Sequence, residues 1–191
     1  MSNVKDNIWI TSRARMIVER KSLRNQTASY LTVTYYSIFT ILISIFSEFY
    51  SKTYSKLDEI NLAASVVVLV ASLVAGGFRF EAKANVFREC YLKLQKLLKD
   101  NCTEEQRASR YDDILWDYPN HTTADYYDLI IQHTYWEGKK LTNGSEEIKR
   151  TKYIWFSYIF RRATYYGIIS FLFLVPVAFL AAPFFDLCAT P

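Results

Sequence analysis

Turn formers are scarce: 191 residues hold only five glycines and four prolines. Short alternating strands with regular turn signals are missing too, so nothing reads as a β-domain. The three cysteines, Cys90, Cys102 and Cys188, form no CxxC pair and cannot build a disulfide framework. The only histidines, His121 and His133, stand twelve apart without a companion ligand at metal spacing. GxSxG, P-loop and HExxH patterns are all absent. The adjacent Asp112 and Asp113 read as surface carboxylates. No cofactor, no metal and no catalysis is expected. The first 24 residues are polar and charged, so no cleavable signal peptide is expected either.

Charge itself is missing from three stretches. Asn25–Ser47, Ile60–Phe78 and Ala163–Phe185 hold 23, 19 and 23 residues without a single charged side chain. A hydrocarbon core of ~30 Å needs about 20 helical residues, so each reads as a transmembrane segment. Mean hydropathy near zero hides this, because apolar and charged residues are segregated along the chain.

The charges that remain assign an orientation. Of 23 lysines and arginines, 21 fall before the first span or between Arg79 and Arg162. The connection between the first two spans holds only Lys52 and Lys56, offset by Glu48, Asp58 and Glu59, and the C-terminal tail has none. Basic residues in short flanks stay on the cytoplasmic side. The N-terminus and the 79–162 segment are therefore expected in the cytoplasm, with the 48–59 turn and the tail outside, at a bacterial inner membrane. The net charge of +4 then serves anchoring to an anionic leaflet rather than nucleic-acid binding. The Asn-x-Ser/Thr sequons at Asn25, Asn101, Asn120 and Asn143 lie in or beside cytoplasmic segments and read as chance.

The expected fold is all-α: an integral membrane protein with an N-terminal transmembrane hairpin, cytosolic helices and a third, C-terminal transmembrane helix. Residues 1–27 read as a basic helix with apolar positions Ile8, Ile10, Met16, Ile17 and Leu23, lying at the interface. Residues 28–80 form the hairpin, 81–162 the cytosolic region, 163–185 the third span and 186–191 an external tail. The second span is expected to continue unbroken to Asp100, with Phe80, Val86 or Phe87, Tyr91, Leu94 and Leu98 as an apolar stripe. Helices are expected over Glu104–Trp116 and Thr122–Lys140, the second capped by Thr122 or Thr123 with Asp125 in its first turn. After an Asn143–Gly144–Ser145 turn, Glu146–Arg162 reads as a helix running into the third span. Pro176 and Pro183 inside that span remove backbone hydrogen bonds. Seven aromatics between Tyr153 and Tyr166, beside Arg161 and Arg162, read as an interfacial belt.

Two constellations carry functional readings. Ser37, Thr40, Ser44, Ser47 and Ser51 recur at steps of three and four along the first span, with a counterpart in Asn61, Ser65 and Ser72 of the second. Such a stripe either packs helices together, as do the small residues Ala64, Ala71, Ala75 and Gly76, or lines an aqueous path. Three spans cannot enclose a channel, so a pore requires a homo-oligomer. The segment Glu104–Glu137 carries eight acidic residues against Arg107 and Arg110. Tyr111, Asp112, Asp113, Tyr126, Tyr127 and Asp128 there could dock a basic partner, or simply face solvent.

The basic N-terminal helix, the tight hairpin and the run FRFEAKANVFRECYLKLQKLL after the second span resemble the SLATT proteins. These are the SMODS- and SLOG-associating two-transmembrane effectors of bacterial conflict systems. The likeness spans roughly Ile8 to Asn101 and rests on Arg79, Glu81, Arg88, Tyr91 and Leu94. One similar branch is encoded beside reverse transcriptases in defence cassettes. The resemblance implies an effector that oligomerises and permeabilises or depolarises the inner membrane when an upstream sensor fires. A reverse transcriptase or a nucleotide-signalling sensor would be the partner, membrane lipid the surroundings, and arrest of the infected cell the outcome. The competing reading is an adaptor without a pore, anchoring a cytosolic partner through residues 104–137. The third span lies outside the two-span pattern.

Overall fold

Residues 4–45 contain neither glycine nor proline, and they form one helix, α1 (Val4–Ile45). The computed structural model describes residues 3–149 and 151–189. After a break at Phe46 come α2 (Ser47–Ser51) and α3 (Leu57–Gly77). Then follow α4 (Phe80–Lys99), α5 (Glu104–Asp117) and α6 (Thr123–Ile131), which passes into a π-helical turn, Gln132–Trp136. A two-residue ladder, β1 (Thr142–Asn143) against β2 (Glu146–Glu147), precedes α7 (Lys152–Ala189). The fold is all-helical apart from this ladder. The expected tail at 186–191 is helical as far as Ala189, and the last two residues lie outside the described ones.

The chain divides into two compact units. The first takes the chain up to Arg24 together with Phe80–Arg162, and the second takes Asn25–Arg79 and the chain from Ala163. Helices α1 and α7 each contribute to both.

In the first unit the N-terminal part of α1 is a core element. Of the apolar residues expected at a membrane surface, Ile8, Ile10 and Ile17 are instead buried in this unit, Met16 is half-buried and Leu23 is exposed. Ile10, Ala14 and Ile17 pack with Leu129, Ile130 and Ile131 of α6, Leu141, and Ile154 and Tyr158 of α7. On another side Ile8 packs with Cys90, Leu94 and Leu97 of α4. Burying each such side chain contributes roughly 1.5–3 kcal/mol. The buried stripe of α4 is Ala84–Phe87–Cys90–Leu94–Leu97, which shares Phe87 and Leu94 with the expected one, while Phe80, Tyr91 and Leu98 are half-buried beside it and Val86 is exposed.

Three expected boundaries move. The second span does not continue unbroken, because α3 ends at Gly77 and Arg79 takes φ 43°, the left-handed conformation that usually stops a helix with glycine. The 122–140 helix stops at Trp136, just before Gly138 at φ 64°. The 146–162 helix begins only at Lys152. Its expected first turns are spent on the ladder, where Gly144 at φ 64° makes the turn and Ile148 N–H donates to Leu141 C=O at 2.8 Å.

The second unit turns most of its large apolar side chains outward: Leu31, Ile38, Ile41, Leu62, Leu69, Leu73, Phe171 and Leu174 are all more than half exposed. In water so large an apolar surface would aggregate. Three helical stretches, in α1, α3 and α7, are long and apolar enough to cross a membrane.

What joins the first hairpin to α7 here is a set of tyrosine hydroxyls, Tyr35 and Tyr36 from α1, Tyr50 from α2 and Tyr54 from the turn before α3. Pro176 and Pro183 carry no N–H, so the carbonyls four residues earlier, Leu172 and Phe179, lose their helical donors. Tyr36 Oη donates to Leu172 C=O at 2.9 Å, and Tyr54 Oη to Phe179 C=O at 3.0 Å. Tyr35 donates to Phe173 C=O at 2.8 Å, and Tyr50 reaches Leu180 C=O at 3.4 Å. The rings themselves pack, Tyr54 stacking on Phe179 at 4.0 Å between centroids. Where no water competes, an orphaned carbonyl is costly, so these bonds fix the rotation of α7 against α1 and the turn that follows it.

Tyr36→Phe should therefore lower resistance to denaturing detergent by about 1 kcal/mol. In a Pro176→Ala background, where the backbone can supply its own donor, the same change should cost less than half as much. Equal costs in the two backgrounds would show that Tyr36 does not serve the proline gap.

Candidate functional site

The hydroxyl stripe is split by the break at Phe46. Ser37, Thr40 and Ser44 lie on α1, the first two half-buried and the third exposed. Ser47 and Ser51 lie on the separate α2, both exposed. Several of these hydroxyls are satisfied locally: Thr40 donates to Ser37 C=O and Ser44 to Thr40 C=O, each at 2.9 Å. Back-bonding of this kind lets a serine face an apolar surface without a water partner.

The counterpart on α3 meets this stripe at one point. Asn61 Nδ2 donates to Ser44 Oγ at 3.2 Å, and Ser65 Oγ donates to Asn61 C=O at 2.9 Å. Asn61 Oδ1 is buried and accepts no hydrogen bond from the described residues. Leaving such an amide oxygen unmet costs about 1–3 kcal/mol. Ser65 and Ser72 are exposed on α3, as is Gly76. A Cβ added at Gly76 would meet nothing within 4 Å, so this glycine serves no close contact inside one chain.

The six residues read as a docking face are divided between two helices with different duties. On α5, Asp112 and Asp113 are exposed, whereas Tyr111 is half-buried and its hydroxyl is 2.7 Å from Thr11 Oγ1. On α6, Tyr126 and Tyr127 pack against the core around Ile10 and Ile130. Asp128 is spent on ion pairs, with Lys21 Nζ at 2.6 Å on one oxygen and Arg161 at 2.7 Å on the other. Lys21 also reaches Asp125 at 2.6 Å. This network ties α1, α6 and α7 together. Sequence reasoning missed it, because Lys21 and Asp125 are 104 positions apart and a lone lysine beside a span reads as an anchor.

Thr122 and Asp125 form a reciprocal capping box at the start of α6. Burial pushes the Asp125 carboxyl up, but hydrogen bonds from Lys21 and Thr122 and the lysine's charge outweigh it and hold the group below its ordinary 3.8. His121 is pushed below 6.5 by burial and then by the charge of Arg15, against the pull of Asp125. Arg15 is fully buried, with one guanidinium nitrogen on the thiol of Cys90. That thiol is raised by burial and lowered in part by the arginine. His133, the other histidine, lies 3.1 Å from Glu137 and edge-on to Trp9.

Residues 1–182 match the family described as SMODS and SLOG-associating 2TM effector domain family 5. The chain belongs to that family. No curated protein and no solved structure is detectably similar to it. The match runs past Pro176 to residue 182, so most of the third apolar helix lies inside the family's extent. Membership makes the protein a membrane effector in defence, in a family described by its association with SMODS and SLOG domains.

Both depressed groups make the folded state bind fewer protons than the unfolded one, so stability falls as pH falls. The His121 contribution should be lost on going below about pH 6.5, and the Asp125 contribution only below about pH 4. Denaturation followed from pH 7 to 3 should show two losses. His121→Gln should remove the first and Asp125→Asn should shrink the second, to which Glu89 and Glu137 also contribute. An unchanged acid limb in Asp125→Asn would refute the assigned role of the Lys21 pair.

Proposed function

We propose that this effector acts by oligomerising in the inner membrane and permeabilising or depolarising it, without catalysis. The supporting observation is the seam on α1 and α3, where Ser44, Asn61 and Ser65 meet and Asn61 Oδ1 is left without a donor. An otherwise lipid-compatible surface carries one line of polar groups, and one of those groups demands a partner. Neighbouring copies that bring their seams together would supply donors and admit water. Ser37, Thr40, Ser44 and Asn61 would line the path, with Ser65 and Ser72 flanking it and Ser47 at its end. The distribution of lysine and arginine supports a cytoplasmic N-terminus and first unit, with the C-terminus outside. The cytoplasmic unit would then hold the silent state and receive a signal from a reverse transcriptase or a nucleotide-signalling sensor.

A second reading has its own observation. Trp116 on α5 is 91 % exposed and stands three and four positions from Asp113 and Asp112, on one helical face. An aromatic so exposed beside two free carboxylates suits an adaptor that docks a basic partner.

A membrane-potential dye in cells induced to make the protein separates the two. Wild type should depolarise the cells. The triple variant Ser37→Leu, Thr40→Leu, Ser44→Leu should reach the membrane fraction in equal amount and leave the potential intact. Normal depolarisation by the triple variant would make the seam a packing feature, and no depolarisation by wild type would favour the adaptor.

A further inference from the structure

Arg15 carries a charge that nothing around it answers. Its side chain is fully buried in the first unit, with one terminal nitrogen, Nη1, on the Cys90 thiol. Nε and Nη2 are buried and meet no acceptor among the described residues. A guanidinium keeps its proton inside a protein, and enclosing it without a counter-charge is costly. The neighbouring carboxylates are committed elsewhere. Asp125 gives one oxygen to Lys21 and the other to the amide and hydroxyl of Thr122. Glu19, one helical turn beyond Arg15, pairs with Arg88 at 4.0 Å and bonds to Tyr91. Burial pushes the Cys90 thiol up, so it stays neutral and supplies no charge.

The unmet nitrogens are also a matched pair. Nε and Nη2 form one edge of the guanidinium, the edge whose parallel N–H bonds fit two oxygens of a carboxylate or phosphate. A third unmet group stands close by: His121 feels the charge of Arg15, and its Nδ1 is buried without a partner. As the Nδ1–H tautomer it adds a donor. A cavity of about 360 Å³ abuts this group, at the small end of ligand pockets. Its wall includes Val18, three positions after Arg15 on α1, and Phe87, three before Cys90 on α4. Asn120 and Thr122, on either side of His121, complete that end. Lys83 lines the cavity from an exposed position on α4 and makes no ion pair among the described residues.

We propose that this part of the first unit is a binding site for a small oxyanion, held by the Nε–Nη2 edge of Arg15 and by His121 Nδ1, with Lys83 at the entrance. The occupant joins α1 to the 118–122 connection and supplies the counter-charge that Arg15 lacks. The inference rests on these residues alone and stands whether or not the chain forms a pore.

The test is calorimetric titration of the full chain in nanodiscs, with inorganic phosphate and separately with acetate, at constant ionic strength. Saturable heat from phosphate, from acetate or from both supports the site and says which oxyanion it takes. R15M should weaken binding tenfold or more. In anion-free buffer R15M should unfold at a temperature no lower than wild type, because an apolar side chain replaces an unpaired buried charge. H121F keeps a ring without donors and should also weaken binding. K83Q, at an exposed position, should weaken it about two- to fivefold. No saturable heat from either anion overturns the proposal, as does wild-type affinity in R15M. If R15M does not fold, wild-type affinity in both H121F and K83Q overturns it equally.

Discussion

Two carbonyl oxygens in α7, those of Leu172 and Phe179, face positions where proline has removed the amide, and the apolar unit is arranged around meeting them. The donors come from 125 to 136 residues upstream, as Tyr36 and Tyr54 hydroxyls. A hydroxyl at the end of a rigid ring reaches such a carbonyl only at one rotation and one height of the two helices. Dispersion between apolar faces in lipid has no such selectivity, because tails are as apolar as leucine. The prolines therefore act less as kinks than as sockets. They turn a generic apolar helix into one that fits a single place beside α1, and they give the third apolar helix its reason to be part of the fold.

The same helix that carries Tyr35 and Tyr36 begins as the core of the other unit. From Ile8 to Val18, α1 is buried on several sides, with even Arg15 fully enclosed against Cys90. A buried guanidinium is expensive. Its position near His121 and Cys90 makes this part of the first unit sensitive to charge, while the Lys21 network clamps α6 and α7 to the next turns of α1. Two helices thus serve both units, and each is fixed by polar bonds on either side of its last arginine.

Much of this was legible from local chemistry. Absence of charge over 23, 19 and 23 residues is a property of neighbouring residues, so the apolar helices could be read directly. The Thr122–Asp125 box is likewise a four-residue signal. The break at Arg79 was not legible: an arginine in the left-handed conformation contradicts its ordinary preference, and the Gly76–Gly77 pair stands inside the helix rather than after it. The ladder at 142–147 has only two residues per strand, too short for any alternation. For the candidate site, spacing put Ser37, Thr40 and Ser44 on one helix and could not show the interruption at Phe46. Asn61 stood out only as one polar residue among several, since its contact with Ser44 belongs to the pairing of two helices.

The division of the first unit between two stretches of sequence separated by the first apolar hairpin sets a timetable for synthesis. Ile8, Ile10, Ala14 and Ile17 leave the ribosome first, yet most of what covers them, Leu129–Ile131, Leu141, Ile154 and Tyr158, follows more than 100 residues later. At elongation rates of about 5–20 residues per second that face waits on the order of 10 s. α4 arrives earlier and shields Ile8 first. The first apolar hairpin is made in the interval, while the acceptors for its tyrosines do not yet exist. Residues 172–180 emerge more than 90 residues after the first apolar hairpin, so the membrane part of the nascent chain stays unlatched until α7 has been made.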